Sequence, residues 1–255
     1  MMDTPWGRLR DLHFPQLPLD CGNDRNPGVV YGPDLRDWSD KATTPDQRRM
    51  ERYIDRYDLR RRRVLHIGIG NSSLASRFHG RVGEIFGTTI DAPEIAVAQS
   101  LGLLNYRFVI HNKYSGSDDV VPGKFDFILD NNPTSPCCCV RHLHALFSFY
   151  ADKLTNGGQV VTDKLGLGWV PEGSSPRWRF DFDDLATVAR EVGLNAYRAS
   201  SSVYVMARSA PERPGVSSLA RHALRRVVML PGQVLRNGPR LLKQSLTSPL
   251  GARRP

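Results

Sequence analysis

An apolar run that enters a glycine turn, followed by a second apolar run that ends on an acid, constrains this chain most. Val64-Leu65-His66-Ile67 leads into Gly68-Ile69-Gly70, and Thr89-Ile90 ends at Asp91. Such a pattern predicts a buried strand, glycines that let the backbone come close to a ligand, and an acid placed to accept ribose hydroxyls. Gly70 and Asp91 are 21 residues apart, close to the roughly 20 of a dinucleotide-binding unit. Ser73 stands where the third glycine of G-x-G-x-x-G would fall, which argues against NAD or FAD and for another nucleoside cofactor.

The rest of the chain alternates helical and strand patterns. Residues 1–43 are rich in Pro, Asp and aromatics without a period and predict an irregular arm, in which Tyr31 and Trp38 are placed to cover a cofactor or stack on a sugar ring. Thr44-Pro45-Asp46-Gln47 predicts a capping-box helix start, the helix running to about residue 57. Strands are expected at 64–67, 85–90, 106–110, 124–130 and 159–162, with helices at 72–79, 93–101, 140–154 and 182–192. Asn156-Gly157-Gly158 is expected to stop the fourth of those five helices, and 195–199 with 203–207 suits an antiparallel hairpin. The predicted fold class is α/β, a doubly wound and mostly parallel sheet. Three regions follow: an arm and helix (1–60), a catalytic domain (61–208) and a basic carboxy-terminal extension (209–255).

On the residues Gly68, Gly70 and Asp91, and over about 61–208, the chain resembles the class I S-adenosylmethionine-dependent methyltransferases. The resemblance implies a seven-stranded Rossmann-like sheet. It implies that the turn of Gly68 and Gly70, with Asn71 and Ser72 beside it, packs on the methionine end of S-adenosylmethionine. Asp91 would hold the ribose, and His111 or Asn112 would border the adenine.

Asp130 and Asp163 end the fourth and fifth strands. In the metal-dependent O-methyltransferases, those positions carry metal-binding carboxylates, so the resemblance implies Mg²⁺ on Asp130 and Asp163, with Asn131 or Asn132 assisting. Lys164 departs from that pattern, since those enzymes usually have another oxygen ligand there. A hydroxyl acceptor needs a base or a metal to help remove its proton. Arg141-His142-Leu143-His144 follows the Asp130 loop, making His144 the favoured base and His142 the second. The predicted activity is O-methylation of a small metabolite, a sugar or glycoside. The segment from Asp130 to Asp163 and the Arg-rich composition are similar to those of actinobacterial enzymes that methylate mannosides for polysaccharide synthesis, which implies Mg²⁺ assistance and a homodimer. Two alternatives stay open. One is an N-methyltransferase on nucleic acid or protein, since Asp130-Asn131-Asn132-Pro133 resembles an imperfect version of the motif of amino-methyltransferases, without the second proline and the aromatic. The other is a non-catalytic interaction protein on the same scaffold.

The net charge of +9 suggests nucleic acid until it is located. From residue 210 onward nine Lys/Arg face a single acid, Glu212, leaving residues 1–209 at +1. A balanced catalytic domain offers no broad basic face to a phosphate backbone. The excess sits in a segment broken by Pro231-Gly232 and Gly238-Pro239, suited to an anionic membrane surface or a protein partner. No apolar run approaches the roughly 20 residues of a membrane span, and Met1 to Asp20 lacks a secretory signal, so a cytoplasmic protein is expected. Cys137-Cys138-Cys139 and the distant Cys21 have neither C-x-x-C spacing nor a disulfide framework, which predicts reduced thiols.

Overall fold

The computed structural model describes residues 4–22, 38–115, 120–135, 137–170, 176–212 and 214. The elements are α1 (Pro5–His13), α2 (Pro45–Ile54), β1 (Arg63–Ile67), α3 (Ser73–Phe78), β2 (Glu84–Thr89), α4 (Ala92–Ser100) and β3 (Tyr106–Ile110). They continue with β4 (Phe125–Asp130), α5 (Val140–Lys153), β5 (Leu154–Asp163), α6 (Lys164–Leu167), α7 (Phe182–Glu191), β6 (Asn195–Arg198) and β7 (Val203–Ala207). The seven strands form one sheet in the order β3-β2-β1-β4-β5-β7-β6. All neighbours are parallel except β7, which runs antiparallel to β5 and to β6. This is the seven-stranded sheet with a final hairpin that the methyltransferase resemblance implies.

Its strands read as near-continuous apolar runs because both faces are covered. Successive residues alternate between two cores, as a two-residue period requires. Leu65, Ile128, Val160, Tyr204 and Met206 face α5 and α7, while Val64, Phe127, Leu129, Val161 and Val205 face α2 and α3. The chain leaves β1 towards β2 and β3, then returns to β4 on the other side of β1. That reversal is the topological switch point, where open α/β sheets leave a crevice at the carboxyl ends of their strands.

Three local expectations are corrected. The amino-terminal segment is not wholly irregular: α1 starts with the Thr4 hydroxyl accepting from the Gly7 amide at 3.1 Å, with Pro5 in its first turn. Leu9 and Phe14 enter the main core, and Phe14 stacks on Phe180 at 4.9 Å, so this segment belongs to the compact unit Met1–Arg213. The capping box at Thr44 does not form, because Gln47 donates instead to Glu51, and α2 stops at Ile54. The Asn156-Gly157-Gly158 stretch is not a helix stop. Helix α5 already ends at Lys153, Leu154 pairs with Phe125, and the residues between Leu154 and Gln159 form a register shift in β5. Tyr31 and the basic extension beyond residue 214 lie outside the described residues. Among the described residues, no helix is long and apolar enough to cross a membrane.

Helix α2 is tied to the sheet by charge. Arg49 grips Asp163 at the end of β5 through two parallel bonds, Nε to Oδ2 at 2.8 Å and Nη2 to Oδ1 at 2.6 Å. The Asp163 side chain is 0% exposed and that of Arg49 27%. Removing one partner of a buried pair strands the other charge. Arg49→Met is therefore expected to lower unfolding free energy by about 3 kcal/mol, with part of it recovered in Arg49→Met/Asp163→Asn. Urea denaturation of the three proteins measures this, and an undiminished stability in Arg49→Met would refute the role given to the pair.

Candidate active-site cleft

A cleft of about 390 Å³ opens at the switch point, within the ~300–1,000 Å³ of small-molecule sites. One wall is the segment 38–47, which leads into α2; the floor is His66 to Asn71; the far side is Asn131, Asn132, Leu165, Gly166 and Trp169, with Glu94 at one end. Trp38 and Trp169 expose 36% and 44% of their surface and give the cleft two flat apolar faces.

The floor has the backbone geometry that its glycines permit. Gly68 and Gly70 have φ of 74° and 50°, where a side chain would be strained. The Gly68 amide donates to the Thr88 carbonyl at 2.8 Å, which holds the turn against β2. Glu94, in the first turn of α4, accepts from the Gly70 amide at 3.0 Å and from the Thr89 hydroxyl at 2.6 Å. Asn71 spans the cleft edge: its Nδ2 donates to the Lys41 carbonyl at 2.7 Å and its Oδ1 accepts from the Ser73 amide at 3.0 Å.

The cofactor residues expected from sequence divide into two groups. Gly68, Gly70 and Asn71 line the cleft together. Ser72 is buried with φ 54° and bonds the Tyr106 hydroxyl at 3.0 Å, so it braces the turn from behind. Asp91 stands at the N-cap position of α4 without a side-chain capping bond, and Asn112 accepts from the Tyr114 amide; neither is among the lining residues. Glu94, one turn beyond Asp91, is the acid that reaches the glycine turn. Its position in the first turn of the helix after β2 was the available signal.

The metal assignment is corrected. Asp130 is buried, with Lys113 Nζ at 3.1 and 3.0 Å from its two oxygens, the Tyr150 hydroxyl donating to Oδ2 at 2.6 Å and the Asn132 amide to Oδ1 at 3.1 Å. Asp163 accepts from Arg49 through both oxygens and from the Leu165 amide at 2.9 Å. Asn131 donates to Asp46 at 2.6 Å. Mg²⁺ takes oxygen ligands in octahedral geometry, and here each carboxylate already faces a cation and has its oxygens engaged. The donor set therefore does not fit Mg²⁺. The neutralising charges come from Lys113 and Arg49, whereas Lys164 is exposed.

The histidine assignment is corrected as well. His144 packs its ring against Trp6 at 5.9 Å and meets Ser148 at 3.4 Å, under α1 and away from the cleft; burial holds its pKa down. His142 turns its Nδ1 toward cysteine sulfurs. Each meets the amino-terminal segment, His142 at Cys21 and His144 at Trp6. His66, inside β1, is the histidine that reaches the cleft, and burial pushes its pKa down to about 4 against the pull of Asp130. His111 is likewise pushed down to about 4 by burial and by Lys153, and its ring lies 5.7 Å from Phe149.

Among the described residues, nothing donates to two buried oxygens beside the cleft, Asp46 Oδ1 and Asn131 Oδ1. A Cβ on Gly166 would overlap the backbone and side-chain oxygens of Asn131, so glycine is what lets α6 press against this pair. Sequence reading missed Asp46 as a site residue because its place in the first turn of α2 looks like an ordinary helix-start acid.

No protein-family model matches the chain, and no curated protein matches it. Solved structures similar in fold include a TehB-like S-adenosylmethionine-dependent methyltransferase from Corynebacterium glutamicum, at 17% identity and TM-score 0.46, covering 62% of this chain and 84% of that one. An rRNA methylase from Streptococcus thermophilus has 10% identity and TM-score 0.44, with 66% and 99% covered. The N-methyltransferase NodS from Bradyrhizobium japonicum, in complex with S-adenosyl-L-homocysteine, has 13% identity and TM-score 0.47, with 64% and 86% covered. At such identities the likeness is one of fold.

The two depressed imidazoles have a consequence for stability. Native His66 and His111 stay neutral to about pH 4, while in the unfolded chain they take a proton below the ordinary 6.5. Their contribution is thus full above pH 6.5 and is lost as pH falls towards 4, at up to about 1.4 kcal/mol per pH unit for each ring. Urea titrations across this window should show a shallower decline for His66→Gln than for the parent. Parallel curves would contradict a neutral buried His66.

Proposed function

We propose that this protein is an S-adenosylmethionine-dependent methyltransferase that transfers the methyl group to a hydroxyl of a small ring-bearing metabolite, a sugar or glycoside. The observation that carries the reading is the position of the cleft. It opens at the topological switch point and is floored by a left-handed glycine turn held to the second strand by Glu94. That place in a doubly wound sheet is where nucleoside cofactors bind. The methionine end would lie on Gly68 and Gly70, with the adenosine running towards Asp91.

Methyl transfer from a sulfonium asks for in-line approach, so positioning supplies much of the catalysis. Trp38 and Trp169 offer flat faces for an acceptor ring. Asp46 supports a hydroxyl acceptor: it lines the cleft, and among the described residues its Oδ1 has no donor of the kind a hydroxyl would provide. In this reading Asp46, fixed by Asn131 at 2.6 Å, orients the hydroxyl and receives its proton. His66 bounds the floor as a neutral ring. The near-neutral charge of residues 1–209 favours a small acceptor over a polyanion.

Isothermal calorimetry with S-adenosylmethionine tests the cofactor, and methyl transfer to a panel of glycosides tests the acceptor. Micromolar binding is expected, lost in Gly70→Val, whose side chain would need a left-handed backbone. Asp46→Asn should keep binding and lower turnover about 10²–10⁴-fold, the usual worth of a positioned base. His144→Ala and added Mg²⁺ should leave both unchanged. Absence of binding in the folded parent protein would end the methyltransferase reading, and equal turnover in Asp46→Asn would end the role of that carboxylate.

A further inference from the structure

Among residues that do not line the cleft, the fold gathers three of the four cysteines around one histidine. Cys21 comes from the segment after α1, Cys138 and Cys139 precede α5, and His142 lies in its first turn. His142 Nδ1 is 3.5 Å from Cys21 Sγ and 3.2 Å from each of Cys138 Sγ and Cys139 Sγ; the latter two sulfurs are 3.6 Å apart. All four atoms fall within 4.8 Å of one another.

Hydrogen bonding does not account for this convergence. An imidazole nitrogen either donates one hydrogen or accepts one in its ring plane, yet three sulfurs close on Nδ1. A metal at the centre does account for it. With metal–sulfur bonds of about 2.3 Å and a metal–nitrogen bond of about 2.0–2.1 Å, a tetrahedron has edges of roughly 3.5–3.8 Å. These four separations lie within a few tenths of an ångström of those edges, and the two remaining sulfur–sulfur edges, from Cys21, are at most 4.8 Å.

We propose that Cys21, Cys138, Cys139 and His142 form a structural Zn²⁺ site. Three thiolates and an imidazole are a soft donor set, which selects Zn²⁺ over Mg²⁺ or Ca²⁺, and four protein ligands close the shell as structural sites do. Binding displaces three thiol protons to solvent and uses the lone pair of an unprotonated Nδ1. The helix end favours the resulting negative charge, since the ligands sit at the amino-terminal turn of α5.

The backbone prepares the site before any metal arrives. The Val140 amide donates to the Pro18 carbonyl at 2.9 Å and the Arg141 amide to the Leu19 carbonyl at 3.1 Å, laying residues 18–21 across the start of α5. Asp20 pairs with Arg141 at 2.9 Å. The metal would lock this seam and clamp the amino-terminal segment to the domain. The ligand spacing, two adjacent cysteines, a histidine three residues on and a cysteine far upstream, matches no common zinc pattern. That is why the sequence alone reads as reduced thiols.

The test uses the full chain purified under reducing conditions without affinity metals. Elemental analysis should find about one zinc per chain. After chelation, Co²⁺ titration should give the intense visible bands and thiolate charge-transfer absorption of a tetrahedral centre at one equivalent. Cys21→Ser, at a half-buried position, should weaken Co²⁺ binding by more than about 100-fold, since even loss of an outer-shell partner costs 10–100-fold. Cys137→Ser should retain a full equivalent, because Cys137 faces the Cys139 carbonyl and lies outside the cluster. A parent protein that is folded, holds no zinc and gives no tetrahedral Co²⁺ spectrum overturns the proposal. So does a parent protein whose thiols are found joined as a disulfide under the same reducing conditions.

Discussion

The ion pair between Arg49 and Asp163 holds the cleft together. It joins the helix that follows the cleft wall to the strand end that leads into Leu165 and Gly166 on the opposite side, over 114 residues of sequence. Burying the Asp163 carboxylate would be costly alone; two parallel bonds from a guanidinium and one from the Leu165 amide offset that cost. Because the pair has one geometry, α2 has one position, and Asp46, one turn before Arg49, is delivered to Asn131.

The same logic organises the end of β4. Asp130 is fully buried and meets Lys113, Tyr150 and the Asn132 amide. Carboxylates that end adjacent parallel strands repel each other unless something positive intervenes. A divalent ion is one answer, and two protein cations are another. This chain uses the second, so the strand-end acids act as struts that shape the loops, and the groups that line the cleft include Asp46, Asn131, His66 and the two tryptophans.

The sheet was legible because it depends on local pattern. Strands buried on both faces must be apolar throughout, and the run 64–67 and its successors are. The glycine turn was legible because positive φ singles out Gly68 and Gly70. Helix α1 was hidden because it is short, carries Gly7 in its first turn and buries mainly Leu9, so it has too little periodicity to register. Its start signal, Thr4-Pro5, was present and competed with the proline and aspartate content around it. The Asn156-Gly157-Gly158 stretch misled for the opposite reason: a residue pattern that suits a helix stop equally suits a shift of strand register.

By itself, then, the sequence determined the doubly wound sheet, the glycine turn after β1 and the acids at the ends of β4 and β5. These follow from one-dimensional periodicities and from the backbone freedom of single residues. Only the tertiary structure decided which cation meets each acid, which histidine reaches the cleft, and that Cys21 joins His142 across 121 residues. Those outcomes depend on where helices settle over a sheet, which is set by the shape and charge of surfaces made from distant segments. No local period encodes that placement. The same carboxylates can therefore read as metal ligands in sequence and stand as ion-paired struts in space.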